Sequence, residues 1–454
     1  MSTSTIEAGD LAELRGSCAG AVIEPGDSGW DRVRSCFNAF IDRHPALVVR
    51  PLGAADVATA LAFGRDRGLE IAVRGGGHNP AGHCVRDGGL VIDLSLMRRV
   101  DVDPERRIAR SQGGATWINF DTAAQAHGLA TPGGVVGTTG VAGLTFGGGI
   151  GHLTSQLGLT CDHLLAAELV TVDGATVRAS ADDDAELLWG LRGGGGNFGI
   201  ATELEFRLHP VERVYGGRIA FGGEDAAREA LRRYRDACAA GPRDLSFSAV
   251  LDRTPGVGTI VVLIPCFTGE GEPQALAEIR GLPGVIDERL GVRSFAAQQH
   301  LVNPSYGIER TYWKGHFVRE LPDELIDTLL ARMAAMGERS PGQILIESLH
   351  GAAKDADPDS AALGFRGAAH NISAMGTWLD PALDDEYVAW TRETAAEIAP
   401  WSETGAGYVN YMQADEPLER VGAAFGDSFE RLQALKRRFD PENVLRRNQN
   451  IPPG

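Results

Sequence analysis

The residues with the most chemistry to offer stand in "RGGGHNPAGHC", Arg74 to Cys84. Three glycines lead into His78, and His83 follows five residues later. Consecutive glycines suit a backbone that another group must approach closely, or one that must take a positive φ. An imidazole at their end can be a nucleophile, an acid–base group or a metal ligand. Zinc asks for three or four ligands at recurring spacings, and the adjacent His83 and Cys84 cannot easily chelate one ion together. Cys18, Cys36, Cys84, Cys161, Cys238 and Cys266 are scattered with no CxxC pair. No metal is therefore expected, and the thiols read as reduced. There is no G-x-S-x-G for a serine hydrolase.

Two more glycine clusters follow, "PGGVVGTTGVAGLTFGGGIG" (Pro132–Gly151) and "LRGGGGNFG". Gly194–Gly199 satisfies G-x-G-x-x-G, but a helical pattern precedes it and a strand pattern follows. A nicotinamide-binding turn needs the reverse order. The clusters could be structural turns in a non-catalytic binding protein. Their distribution favours another reading, because each of the three lies at the end of a strand or helix within one half of the chain. Backbone N–H groups from several such loops make an extended anion-binding surface, as one long pyrophosphate-containing ligand would need.

The elements that must hold these loops are legible. "ALVVRP" reads as a strand, "AADVATALAFGRDRGL" as an amphipathic helix ending near Gly68 and "EIAV" as the next strand, a β-α-β unit. "VDVDPERRIARSQGG" reads as two strands turning at Asp103-Pro104, "TWINFDTAAQAHG" as a helix capped by Thr116, and "AELVTVDGATVRAS" as a hairpin turning at Asp173-Gly174. After Pro210 the glycine clusters stop and long strands alternate with long helices, which suggests an antiparallel sheet covered on one face. The last fifty residues are too short to fold alone and must pack back onto one of the domains.

The chain's 454 residues, 43% hydrophobic and 23% charged, suit a globular protein of two or three domains. The net charge of −18 argues against nucleic acid or an anionic membrane as partner. The N-terminus carries no export signal and no apolar run approaches a membrane span, so a cytoplasmic protein is expected.

Taken together, "VRGGGHNPAG", "TTGVAGLTFGGGIGHLTSQLGLTCDHLLAAELVTVDG", "LRGGGGNFG" and "YVNY…RFDPENVLRRNQNI" resemble the berberine bridge enzyme-like flavin oxidases. These are a branch of the vanillyl-alcohol oxidase / p-cresol methylhydroxylase superfamily. The likeness implies an α+β, two-domain fold with a split FAD-binding domain and an antiparallel-sheet substrate domain. The FAD-binding part would span residues 1–210 (core about 44–210), the substrate domain 211–400, and a tail at 401–454 would return to the FAD domain. It also implies covalent FAD, a small-molecule substrate, O2 as acceptor, and a monomer or homodimer. A flavin-dependent dehydrogenase or a non-redox cyclase is the alternative.

By resemblance, Arg74, Gly75, Gly76, Gly77, His78, Asn79 and Gly82 form the pyrophosphate loop, with His78 attached to the flavin 8α-carbon. Gly137, Thr138, Thr139, Gly140, Gly143 and Gly149 form a second cofactor loop, joined by Gly199, Ile200, Asn410 and Asn448. Relatives with a second attachment use a cysteine where this chain has Val136. Cys161 is too far along, and Cys84 reads as a small buried residue, so a single bond through His78 is expected. Thr139 stands where relatives control oxygen access. Tyr408 and Tyr411 resemble the family's tail tyrosines, the second being the expected base and the first, with Asn410, nearer the cofactor. A regular strand would send the two rings to opposite faces. Tyr312, Trp313, Lys314, His350 and Trp378 are candidate pocket residues among which the sequence does not choose.

Overall fold

In the computed structural model the chain builds three main sheets; the residues described are 6–240, 243–302, 308–337, 339–340, 342–402 and 404–454. The first sheet holds the continuous apolar runs that parallel strands buried on both faces require. Leu47–Arg50, Leu90–Asp93 and Ile71–Arg74 run parallel in that order, with Ala21–Ile23 antiparallel at one edge. The β-α-β unit is present, its helix running Ala54–Asp66, but Leu90–Asp93 is inserted between its two strands. The glycine loop thus leaves the carboxyl end of a parallel strand, where open α/β sheets receive ligands. Arg74 closes that strand on fully buried Asp93 at 2.8 Å and donates to the Ser35 carbonyl at 2.7 Å.

The second sheet is antiparallel, in the order Val100–Asp103, Ile108–Gln112, Ile200–Arg207, Leu164–Val170, Thr176–Ser180. Both expected hairpins are there, and the expected helix runs Trp117–Gln125 from a Thr116–Asn119 capping box.

The third sheet has nine strands, antiparallel throughout. The helices Glu224–Ala240, Asp323–Ala334 and Asp384–Ile398 bury Leu231, Leu329 and Trp390 against one face, which presents Leu263, Ile344, Ile346 and Ile372. Strand alternation sends the intervening residues to the opposite face. At one end of the sheet, among Gly342–Ser348, His370–Trp378 and the edge strand Arg310–Val318, the cross-strand register aligns Phe317 with Asn371 and Asn371 with Glu347, and likewise Trp313 with Met375. This second face looks toward the glycine loops.

The tail returns to the first half of the chain. Its helix Phe429–Phe439 places Leu432 and Leu435 in the core shared with Leu187 and Phe198. Lys436, fully buried, donates to Asp440 at 2.6 Å and to the carbonyls of Asn197 and Leu445 at 3.0 Å each. An ion pair so desolvated holds only because every donor is satisfied. Among the described residues no helix is long and apolar enough to cross a membrane, and no three ligating side chains cluster for a metal.

Candidate active site

The three glycine clusters meet in one cleft of about 310 Å³. Gly75, Gly76, Gly77, His78 and Asn79 line it from the first sheet, Thr139, Gly140 and Gly143 from the second loop, and Gly199 and Ile200 from the third. The first two loops touch backbone to backbone: a Cβ on Gly76 would lie 2.3 Å from the Gly140 nitrogen, and one on Gly140 2.5 Å from the Gly76 nitrogen. Gly77 has φ +70°, where an L side chain is strained. The main chain of these loops is therefore open to close approach by a group such as a phosphate.

His78 is held at the end of this cradle. Its Nε2 lies 2.7 Å from Thr138 Oγ1, and its ring stacks on Phe37 at 4.8 Å and 6°. Burial lowers its pKa to about 4, which keeps the imidazole neutral and its ring nitrogens nucleophilic at neutral pH. Val136 lines the cleft in the second loop. Cys84 also lines it, beside the Cys36 thiol, and that neighbour together with burial pushes the Cys84 thiol well up from its ordinary value. Cys161 is buried elsewhere, outside the lining, and its thiol is likewise pushed up by burial.

The tail closes the other wall with Asn410, Tyr411 and Asn448. "YVNY" is not a strand. It is a turn in which Tyr411 N–H donates to the Tyr408 carbonyl at 2.8 Å, so both rings fall on one side, 4.8 Å apart. The regular strand that would have set the rings on opposite faces does not form, and among the described residues no strand pairs with this segment. The tyrosines nevertheless differ. Tyr408 is buried outside the cleft lining, its hydroxyl accepting from Gly149 N–H and Asn410 Nδ2 at 2.9 Å each. It acts as a strut under the glycine loop.

Tyr411 lines the cleft and donates to Glu347 Oε1 at 3.2 Å, while Asn371 donates to Glu347 Oε2 at 2.8 Å. Burial raises the Glu347 carboxyl to about 7, against both hydrogen bonds. Burial first, and then the Glu347 charge, raise the Tyr411 hydroxyl well above its ordinary value. A free tyrosinate is thus disfavoured. A relay is not: the Tyr411 oxygen can take a proton while its own passes to the Glu347 carboxylate.

Of the five sheet candidates only Trp313 lines the cleft, its ring edge-on to Tyr411 at 5.1 Å. Tyr312 donates to Asp415 at 2.6 Å, Lys314 to Glu416 at 2.7 Å, Trp378 to Asp384 at 2.6 Å, and His350 Nε2 lies 3.0 Å from the Leu245 carbonyl. Arg74, Gly82, Gly137, Thr138 and Gly149 support the loops without lining the cleft. Gly82, at φ +67°, packs on Ile41, and Gly137 lies against His300.

Sequence reasoning missed Glu347, Asn371 and Phe37. The first had a signal, a lone acid in the strand "GQILIES"; Phe37 had none, being far from His78's own elements. The residues fit an FAD. The Gly76–Gly140 approach suits a pyrophosphate, and His83 Nδ1, Arg447 Nε and Asn448 Oδ1 are buried in the lining without hydrogen-bond partners.

Known proteins share this family and fold. Residues 45–180 match the FAD binding domain family, and residues 407–452 the berberine and berberine-like family. The chain is 31% identical to (R)-6-hydroxynicotine oxidase of Paenarthrobacter nicotinovorans, over 96% of this chain and 97% of that one. The crystal structure of 6-hydroxy-D-nicotine oxidase from Arthrobacter nicotinovorans superposes with a TM-score of 0.88 at 29% identity, covering 96% of this chain and 99% of that one. A glucooligosaccharide oxidase from Acremonium strictum, which carries a 6-S-cysteinyl, 8α-N1-histidyl FAD, superposes with a TM-score of 0.86 at 24% identity, covering 98% of this chain and 99% of that one. At that identity it shows the fold alone.

Proposed function

The chain belongs to the berberine bridge enzyme-like, PCMH-type FAD-linked oxidases, and from that premise we propose that it oxidises a small alcohol, amine or phenolic metabolite with O2 as acceptor. FAD, when bound, supplies the hydride acceptor. The observation that carries the reading is the Tyr411–Glu347 pair, with Tyr411 on the wall of the glycine-lined cleft and Glu347 buried behind it. Tyr411 receives the substrate's O–H or N–H proton and Glu347 removes the charge that would otherwise remain on the phenol. Trp313 packs beside Tyr411 and shapes the approach.

His78 is proposed as the single point of covalent attachment. It is neutral and stacked on Phe37, and the second loop offers Val136 instead of a thiol. These relatives are named for substrates of different classes, 6-hydroxynicotine and glucooligosaccharides, so the assay spans several classes.

Two measurements test the reading. Peroxide release across amines, glycosidic alcohols and phenols should single out one class, and a chain that reduces its flavin but releases no peroxide would be a dehydrogenase. Acid-precipitated protein should retain flavin on the His78 peptide alone. Retention in His78→Ala, or flavin on a Cys84 or Cys161 peptide, would refute the attachment.

A further inference from the structure

We infer that Arg447, with His83 beside it, is the side-chain counter-charge for the pyrophosphate of the bound dinucleotide. The inference rests on the cleft being the FAD site. Both residues line the cleft along with Gly75–Gly77 and Asn79.

The arginines around Arg447 are already engaged. Arg43 pairs with Asp87 at 2.9 Å, Arg446 with Glu70 at 2.9 Å, and Arg86 also with Glu70. Arg447 has no carboxylate partner among the described residues, and its Nε is buried without an acceptor. The tail thus sends two successive arginines to different fates, Arg446 outward to Glu70 and Arg447 into the cleft. A buried Nε–H without an acceptor is costly, and burial also lowers the pKa of the guanidinium. An anion with several oxygens removes that cost, since planar N–H donors match phosphate well.

His83 is placed by its main chain, whose N–H donates to Asn79 Oδ1 at 3.1 Å. Its Nδ1 is buried with no partner, and burial and the Arg447 charge together lower its pKa to about 4. A neutral imidazole can still donate one hydrogen bond. Within FAD the pyrophosphate is the anionic group; the ring system, sugar alcohol and adenosine are neutral at pH 7. In a chain of net charge −18, an incoming dianion also needs local positive charge.

The test uses the full chain with His78→Ala, stripped of flavin, so that binding is reversible. FAD and riboflavin are titrated separately, because riboflavin lacks the pyrophosphate. Arg447→Met should weaken FAD by about 10–100-fold, the effect of losing charge-assisted hydrogen bonds. It should leave riboflavin within about twofold, and Arg447→Lys should recover part of the loss. His83→Gln should weaken FAD less than Arg447→Met does. Equal weakening of both flavins would make Arg447 a structural residue and overturn the inference, as would unchanged FAD affinity. FAD binding by the His78→Ala chain itself tests the cofactor reading, so the two failures are distinguishable.

Discussion

The two walls of the cleft are made of different material. The cofactor wall is largely main chain, glycines from three loops brought so close that Gly76 and Gly140 leave no room for a Cβ between them. The facing wall is side chain, with Trp313 on one face of a wide antiparallel sheet and Tyr411 on a turn against it, the latter backed by buried Glu347 and Asn371. A wall of backbone is specified by what must be absent from the sequence. A wall of side chains is specified by strand register, which decides which residues point the same way. The first leaves no room for a side chain at Gly76 or Gly140, whereas the second can change its chemistry residue by residue on an unchanged frame.

Gly76→Val attacks the backbone wall and carries the largest expected effect. Its Cβ would fall 2.3 Å from the Gly140 nitrogen, so the loops must part. The purified variant should carry no flavin, read from its visible absorbance; normal flavin content would mean that the contact is dispensable.

Tyr411→Phe attacks the other wall. It removes one hydroxyl and little volume, so flavin loading should persist while anaerobic flavin reduction slows roughly 10²–10⁴-fold, the range for a positioned base. Reoxidation by O2 should be unaffected. Tyr408→Phe should cost less, because Tyr408 supports Gly149 outside the cleft lining. A larger loss there would reverse their roles.

Glu347→Gln sharpens the relay. Burial raises the carboxyl to about 7, and in the proposed relay the carboxylate is the proton-accepting form. Reduction should therefore rise about 10-fold per pH unit below 7 and level off above it, as for a single essential base. The Gln variant should lose that limb and run roughly 10–100-fold slower above pH 7, equivalent to one charge-assisted hydrogen bond. A variant that keeps the limb would place the titrating group elsewhere.

Tyr312→Phe carries the smallest effect. Tyr312 neighbours Trp313 in sequence but bonds Asp415 outside the cleft. Its loss should cost about 1 kcal/mol in thermal or denaturant unfolding and leave flavin reduction within experimental error. A marked kinetic defect would break the assignment of faces.

Much of the cofactor wall was legible before any coordinates, because its signals are local. Glycine clusters, the β-α-β frame, the hairpin at Asp173-Gly174 and the Thr116 cap each depend on residues a few positions apart. The same locality explains why the Gly194–Gly199 motif could be set aside from context alone. "YVNY" stayed open between strand and turn because four residues do not reveal whether a strand lies alongside them. They turn instead, and both rings share one side.

By itself, then, the sequence determined where the backbone could be approached, which histidine ends the loop, and that no thiol stands at position 136. These follow from side-chain size and short-range conformational preference. Only the tertiary structure decided which of five plausible aromatic and basic residues sees the cleft, that Phe37 backs His78 from 41 positions away in sequence, and that Glu347 meets Tyr411 across a separation of 64. Those pairings depend on sheet register and on a tail folding back over the first half of the chain, and no local property of the residues encodes either.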